Sequence, residues 1–287
     1  MYDVKCMKKQ LLIIGLCGES VFMGVDHFHK PEETLHAYSI YIEPGGKGFN
    51  QAVMAARNGV DVFFAGAVGS DPYADECMNV LNNERIRSKC FKKDGKHTAY
   101  ACIMTDKCGD NRVTVYPGAS DLLSKEDIDS IEAVFAQSRY VLLTPEIPEE
   151  AFDESVCLAK YYSVPIIINP APYKSWIQKY LQSAYCITPN RAEAMSLFGS
   201  IDRDVLKNKC PSENLVITLG SKGALCLHEG LFTEIPAPEL HPVDTTGAGD
   251  CFNGVLAAEL IKGSGFIDSA RCAVHAASLS TLHPHVL

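Results

Sequence analysis

The sequence lacks the features that mark several other classes of protein. Its twelve cysteines include no C-x-x-C pair and often lie within apolar runs, so we expect buried free thiols in a reducing cytoplasm rather than a disulfide framework. No apolar run approaches the ~20 residues that are needed to span a membrane. Acidic residues outnumber basic ones, 35 to 26, and leave a net charge of −9. This balance argues against a nucleic-acid-binding surface.

Two glycine-rich nucleotide-binding motifs are missing as well. The Walker A pattern G-x-x-x-x-G-K-[ST] does not occur, and no G-x-G-x-x-G follows the first apolar run, residues 11–16. The second absence counts strongly against a dinucleotide-dependent oxidoreductase. Lysines precede this apolar run, as in a signal peptide, but the run is short and Glu19 follows it closely. We therefore expect a buried first strand.

Short apolar runs recur along the chain and alternate with helical patterns. Nearly continuous hydrophobicity is typical of parallel strands that are covered on both faces. The predicted strands are residues 11–16, 62–65, 140–143, 165–168, 185–187 and 215–219. The predicted helices are residues 47–58, 124–137, 148–162 and 250–261. This alternation predicts an α/β fold with a doubly wound, mostly parallel sheet flanked by helices.

Two regions, residues 17–44 and 97–117, break this alternation. They contain extended, partly alternating pieces and no long helical pattern. We expect them to form a small antiparallel sheet that projects from the core as a lid. The core would then comprise residues 1–16, 45–96 and 118–287. A lid in this position would face a ligand at the carboxyl ends of the parallel strands, where open α/β sheets bind ligands.

The stretch VDTTGAGDCFNG, residues 243–254, is the most informative part of the chain. Three small residues, Gly247, Ala248 and Gly249, leave backbone N–H groups uncovered just before a helical pattern. Such a helix N-terminus favours an anion, because the unpaired donors and the helix dipole both attract negative charge. Asp250 is then either the cap of this helix or a base beside a bound phosphate. The residues alone leave both interpretations open.

A second glycine-rich turn, EPGGKGFNQA at residues 43–52, also leads into a helical pattern. It combines an exposed helix N-terminus with a lysine and an asparagine, Lys47 and Asn50. Considered alone, it is also compatible with a tight turn that is followed by a surface lysine.

Both motifs resemble the signatures of the ribokinase-like (PfkB) carbohydrate kinases, G-G-K-G-x-N-x-A and D-T-x-x-[AG]-G-D-x-F-x-G. They stand in the family's order, about two hundred residues apart, and the resemblance runs from about residue 11 to about residue 282. It implies ATP-dependent phosphorylation of a sugar hydroxyl with Mg²⁺ in the cytoplasm. Asp250 would accept the hydroxyl proton, and the N–H groups of residues 247–249 would hold the charge of the phosphoryl group.

The resemblance also implies the residues that bind the two substrates and the metal ions. On the sugar side these are Ser20, Gly46, Lys47, Asn50 and Glu146. On the nucleotide side they are Asn190, Thr218, Gly220, Ser221, Gly223 and His275. Asn190 and Glu193 would orient Mg²⁺ through water, although the same pair also matches a helix capping box, and we favour both roles. Asp244 and the carbonyl of Thr246 would help to bind a monovalent cation.

The first sugar-binding motif departs from the family pattern. Gly18 and Ser20 stand where ribokinases have an Asn and an Asp that bind ribose. Replacing the carboxylate by a hydroxyl loses roughly 1–3 kcal/mol of charged hydrogen bonding. Glu19 cannot compensate if its side chain points to the opposite face of the strand. Ribose, fructose, ketodeoxygluconate and nucleosides therefore all remain candidate acceptors.

Three further expectations follow from the comparison with the family. The interval between residues 198 and 215 is short and lacks part of a helix. The family continues beyond position 283 with a loop that completes the monovalent-cation site, so a requirement for potassium stays open. The alternating apolar residues 38–42 suit a homodimer that pairs through the small sheet. The main alternative function is a catalytically weakened relative that binds sugar or regulates.

Overall fold

The computed structural model describes residues 10–284. Their strands form a nine-stranded sheet and a separate four-stranded sheet. The strands are β1 (Gln10–Ile14), β2 (Gly18–Gly24), β3 (Ser39–Gly45), β4 (Asp61–Val68), β5 (Arg87–Lys92), β6 (Ala99–Thr105), β7 (Asn111–Tyr116), β8 (Ser138–Leu143), β9 (Ile166–Ile168), β10 (Ala184–Ile187), β11 (Asn214–Thr218), β12 (Ala224–His228) and β13 (Leu231–Ile235).

The large sheet has the strand order β13-β12-β11-β10-β9-β8-β1-β4-β5. The seven strands β11, β10, β9, β8, β1, β4 and β5 are parallel to one another. Strands β12 and β13 add an antiparallel edge next to β11. Every residue of β1 is buried. Leu11 and Ile13 pack into one hydrophobic cluster and Leu12 and Ile14 into another, because successive side chains point to opposite faces. The predicted doubly wound sheet is therefore confirmed.

Helices cover both faces of the large sheet. Those on one face are α1 (Lys47–Arg57), α2 (Pro72–Asn83), α8 (Ala248–Lys262) and α9 (Phe266–Ser280). Those on the other face are α3 (Lys125–Asp129), α4 (Glu132–Gln137), α5 (Glu149–Tyr161), α6 (Arg191–Phe198) and α7 (Arg203–Lys209). Among the described residues, no helix has both the length and the apolar character needed to cross a membrane.

The predicted helix over residues 124–137 is wrong in one respect, because it is two helices. The capping box of Ser124 and Asp127 starts α3 as expected. The chain then leaves the helix at Ser130, and α4 begins only at Glu132. The hydroxyl of Ser130 donates to the carbonyl of Asp127 (2.6 Å), and such a side-chain bond competes with the backbone bonds that continue a helix.

The small sheet has the strand order β3-β2-β6-β7. Its outer pairs are antiparallel, but the central strands β2 and β6 run parallel. The expectation of an antiparallel sheet is thus corrected. The reason lies in the connections: both central strands start beside the large sheet, where Gly18 pairs with Ala99, and extend from there in the same direction.

Candidate active site

Helix α8 begins at Ala248, and Gly247 is its N-cap in the left-handed conformation, with φ 74°. Asp250 therefore lies inside the first turn and is not the cap. First-turn N–H groups of a helix have no intrahelical partner, although that of Ala248 donates to the carbonyl of Thr245 (3.3 Å). A Cβ added to Gly249 would meet no described atom within 4 Å. The loop is thus open to a ligand at this point.

The Asp250 carboxylate is buried and held by two side-chain amides of α1. Asn50 Nδ2 donates to Oδ2 (3.2 Å), and Gln51 Nε2 donates to Oδ1 (3.0 Å). Burial raises the pKa of Asp250, while nearby Lys47 and the two amide donors act against this increase. The result is an oriented carboxylate that is more basic than one in water.

A chain of hydrogen bonds, three of them buried and the last partly buried, connects Asp250 with the loop in front of it. The bonds run from Gln51 Nε2 to Asn169 Oδ1 (3.1 Å), from Asn169 Nδ2 to the Thr188 carbonyl (3.0 Å), from Thr188 Oγ1 to Asn253 Oδ1 (2.6 Å) and from Asn253 Nδ2 to the Gly249 carbonyl (2.8 Å). Gln51 and Asn169 were not predicted as site residues. The position of Gln51 beside Asn50, in the helix that follows the glycine-rich turn, is the signal that could have found it.

The predicted sugar-side residues of α1 meet Glu146, which follows β8. The backbone N–H of Lys47 donates to Glu146 Oε2 (2.9 Å). Burial raises the pKa of Glu146 to about 7, against the opposing charge of Lys47. In turn Asp250, followed by Glu146 and Glu193, raises the pKa of the Lys47 ammonium. Asn50 Oδ1 is buried and has no hydrogen-bond partner among the described residues, so it is an acceptor for a ligand donor.

Gly46 and Ser20 lie beside the same acidic residue. Gly46 precedes α1 with φ 112°, and a Cβ there would lie 2.5 Å from the carbonyl oxygen of Leu16. Only glycine fits this close approach. Ser20, Gly46 and Glu146 line one cavity of about 40 Å³. The structure thus brings the five predicted sugar-side residues to one end of α1.

A larger cavity of about 270 Å³ lies on the other side of the α8 loop. It includes all four predicted nucleotide-side residues of the β11 end, which are Thr218, Gly220, Ser221 and Gly223, together with Ala248 and Gly249. Helix α9 lines it with Val274, Ala277 and Ser278, which share one helix face, and Thr281 directly after the helix lines it as well. His275 is exposed and is not among the lining residues.

Asn190 and Glu193 form the capping box of α6, so their predicted structural role is confirmed. The Glu193 N–H donates to Asn190 Oδ1 (2.9 Å), and the Asn190 N–H donates to Glu193 Oε2 (2.8 Å). Burial raises the pKa of Glu193; among the nearby charges, Lys47 lowers this pKa and Asp250 raises it. Glu193 therefore shares the electrostatic environment of the catalytic candidate.

The remaining predicted cation ligands precede α8. Asp244 Oδ1 accepts a hydrogen bond from the Thr246 N–H (2.8 Å), which shapes the turn that leads into the loop. Within residues 10–284, no group of three or more His, Cys, Asp or Glu side chains is arranged to hold a metal ion.

The fold is that of a ribokinase-like kinase: a large α/β sheet covered on both faces, a small separate sheet and an open helix N-terminus beside a largely apolar cavity. Known proteins agree. The chain belongs to the pfkB family of carbohydrate kinases, whose family model matches residues 8–286. The ribokinase of Bacillus subtilis (strain 168) is 35% identical over 281 residues, which cover 95% of this chain and 92% of that protein.

Solved structures show the same architecture. Ribokinase from Giardia lamblia superposes with a TM-score of 0.89 at 25% identity and covers 97% of this chain and 96% of its own. Ribokinase from Thermotoga maritima superposes with a TM-score of 0.86 at 30% identity and covers 97% of this chain and 94% of its own. The protein is therefore an ATP-dependent sugar kinase, a phosphotransferase whose acceptor is an alcohol group.

Proposed function

We propose that this kinase phosphorylates a sugar hydroxyl with Asp250 as the general base. The observation that carries the proposal is the position of the Asp250 carboxylate, in the first turn of α8 and oriented by the Asn50 and Gln51 amides. A general base must lie within hydrogen-bond reach of the proton that it removes, and burial makes this carboxylate a better base. The acceptor hydroxyl would approach it from the side of Lys47.

The sugar-side residues would bind and orient the acceptor. Asn50 Oδ1, buried and without a partner among the described residues, would accept a hydrogen bond from a sugar hydroxyl. Glu146 and Ser20, which line the cavity of about 40 Å³, would accept hydrogen bonds from other hydroxyls of the sugar. Orienting the hydroxyl in this way supports in-line attack, and phosphoryl transfer depends mainly on such positioning and on charge stabilisation.

The nucleotide would lie in the larger cavity, along Thr218, Gly220, Ser221 and Gly223, with its terminal phosphate at the α8 loop. N–H groups of residues 247–249 would hold the phosphoryl charge there. Bound Mg²⁺ would neutralise phosphate charge; such ions take one or two carboxylates besides the phosphates, and Glu193 with Asn190 supplies suitable oxygen ligands through water. Asp244 and the Thr246 carbonyl would add a monovalent-cation site that stiffens the loop.

We further propose that residues 17–44 and 97–117 form a lid over the core and that two copies associate through it. Apolar side chains on the outer strand β3 support this, since Ile40 is 63% and Ile42 is 49% exposed. Exposed apolar side chains on an edge strand favour pairing with another chain. The free thiols of the described cysteines suit a reducing compartment, and we place the protein in the cytoplasm.

A coupled ADP-release assay tests the function. Purified protein receives MgATP, with and without potassium, and ribose, fructose, other ketoses and aldoses, ketodeoxygluconate or nucleosides. We expect saturable turnover on at least one compound and its loss in Asp250→Asn, with sugar binding retained by calorimetry. Silence across the panel, with sugar still bound, would instead support a binding or regulatory relative. Full activity in Asp250→Asn would refute the assigned base.

A further inference from the structure

Glu43 of β3 lies directly opposite Ser20 of β2 in the small sheet. These strands are antiparallel, so the two side chains stand on the same face with Cβ atoms about 4.5–5.5 Å apart. Both residues are buried, with Ser20 8% and Glu43 5% exposed. The strand pair therefore places a carboxylate beside the hydroxyl of a predicted sugar-side residue.

The face that carries these two side chains is the face of the candidate active site. Gly45 lies two residues after Glu43 and thus on the same face of β3. A Cβ built on Gly45 would lie 2.4 Å from Ser20 Oγ and 3.8 Å from Asn50 Oδ1. Asn50 in turn donates to Asp250. Glu43 lies about 7 Å further along β3, away from the start of α1.

Glu19 provides the contrast, since it neighbours Ser20 in β2 but belongs to the opposite face. It is also buried, 4% exposed. Burial, followed by the negative charges of Glu76 and Asp71, raises its pKa, which places its carboxylate towards the start of α2 rather than towards the site. Glu19 also lines the cavity of about 40 Å³, but of these two buried carboxylates it is Glu43 that shares a sheet face with Ser20.

We infer that Glu43 is a specificity-determining residue, which together with Ser20 binds hydroxyls at the end of the sugar remote from the phosphorylated one. The inference rests on the proposed function. An ionised carboxylate accepts strong hydrogen bonds from hydroxyl donors. It also repels a carboxylate on the substrate. The acceptor class is then an uncharged, polyhydroxylated sugar and not a sugar acid.

The test compares Glu43→Gln with Glu19→Gln as the matched control, since both replace a buried carboxyl of the same sheet by an amide of nearly the same volume. KM for sugar, KM for ATP and kcat are measured on the best wild-type substrate, and thermal unfolding checks that each variant is folded. We expect Glu43→Gln to raise the sugar KM about tenfold or more, with the ATP KM within twofold. Glu19→Gln should keep the wild-type sugar KM.

A second arm measures selectivity between that substrate and ketodeoxygluconate. Glu43→Gln should shift the ratio of kcat/KM values towards the acid. A sugar KM within twofold of wild type in Glu43→Gln, or an equal rise in Glu19→Gln, overturns the inference while leaving the kinase assignment intact. Absence of wild-type turnover on every sugar overturns the proposed function, and the inference with it.

Discussion

Replacing Glu146 by Gln should make the protein more stable at alkaline pH and leave it nearly unchanged at acidic pH. Burial raises the pKa of Glu146 from its ordinary value of 4.5 to about 7 in the folded state. Folding therefore favours the protonated form, and the stability associated with it is present below pH 4.5 and is lost as the pH rises through 7. The full difference corresponds to about 3.4 kcal/mol, at 1.36 kcal/mol for each pKa unit.

Between pH 5 and pH 8.5 the wild-type protein should lose about 2.5 kcal/mol of unfolding free energy through this group. Glutamine has nearly the same shape and no titratable proton, so Glu146→Gln should escape that loss. The assay is urea unfolding of both proteins at several pH values in this range, followed by circular dichroism. The plotted quantity is the difference between their unfolding free energies.

A matched control separates this effect from a general change of charge. Glu150→Gln removes an exposed carboxylate in the first turn of α5. The difference in unfolding free energy between this variant and the wild type should stay nearly constant across the pH range. A constant difference for Glu146→Gln as well, or a difference that grows towards acidic pH, would refute the assignment of a buried carboxyl beside Lys47.

Three further predictions concern the site and its supports. Gln51→Leu removes a hydrogen bond to the carboxylate of Asp250, the proposed base, so kcat should fall about 10- to 100-fold with little change in the sugar KM. An unchanged kcat in steady-state assays would contradict this role of Gln51. Gly46→Ala should lower the unfolding free energy by about 2 kcal/mol or more in urea titrations, because a Cβ there would lie 2.5 Å from a carbonyl oxygen; wild-type stability would refute this. Asn190→Ala and Ser124→Ala should each lower the unfolding free energy by about 1 kcal/mol, because each removes a helix cap, but only Asn190→Ala should raise the KM for MgATP. An equal KM in both variants would leave Asn190 a purely structural cap.

Local features of the sequence determined the elements and the two glycine-rich turns. Runs such as residues 11–16 are buried on both faces, which makes them uniformly apolar and therefore readable as strands. Capping boxes occupy four consecutive residues, so Ser124 with Asp127 and Asn190 with Glu193 were predictable as helix starts. The order of the two motifs along the chain also pointed to the family before any geometry was known.

Tertiary structure decided everything that depends on which distant segments meet. Asp250 and Gln51 are 199 positions apart, and only the packing of α1 against α8 makes one orient the other. The parallel direction of β2 and β6 follows from where both strands leave the large sheet. Glu43 opposes Ser20 because of the register of β2 and β3, and a slip of one residue would turn it to the other face. Spacing along a chain does not encode such pairings, since they arise from the burial of several elements at once.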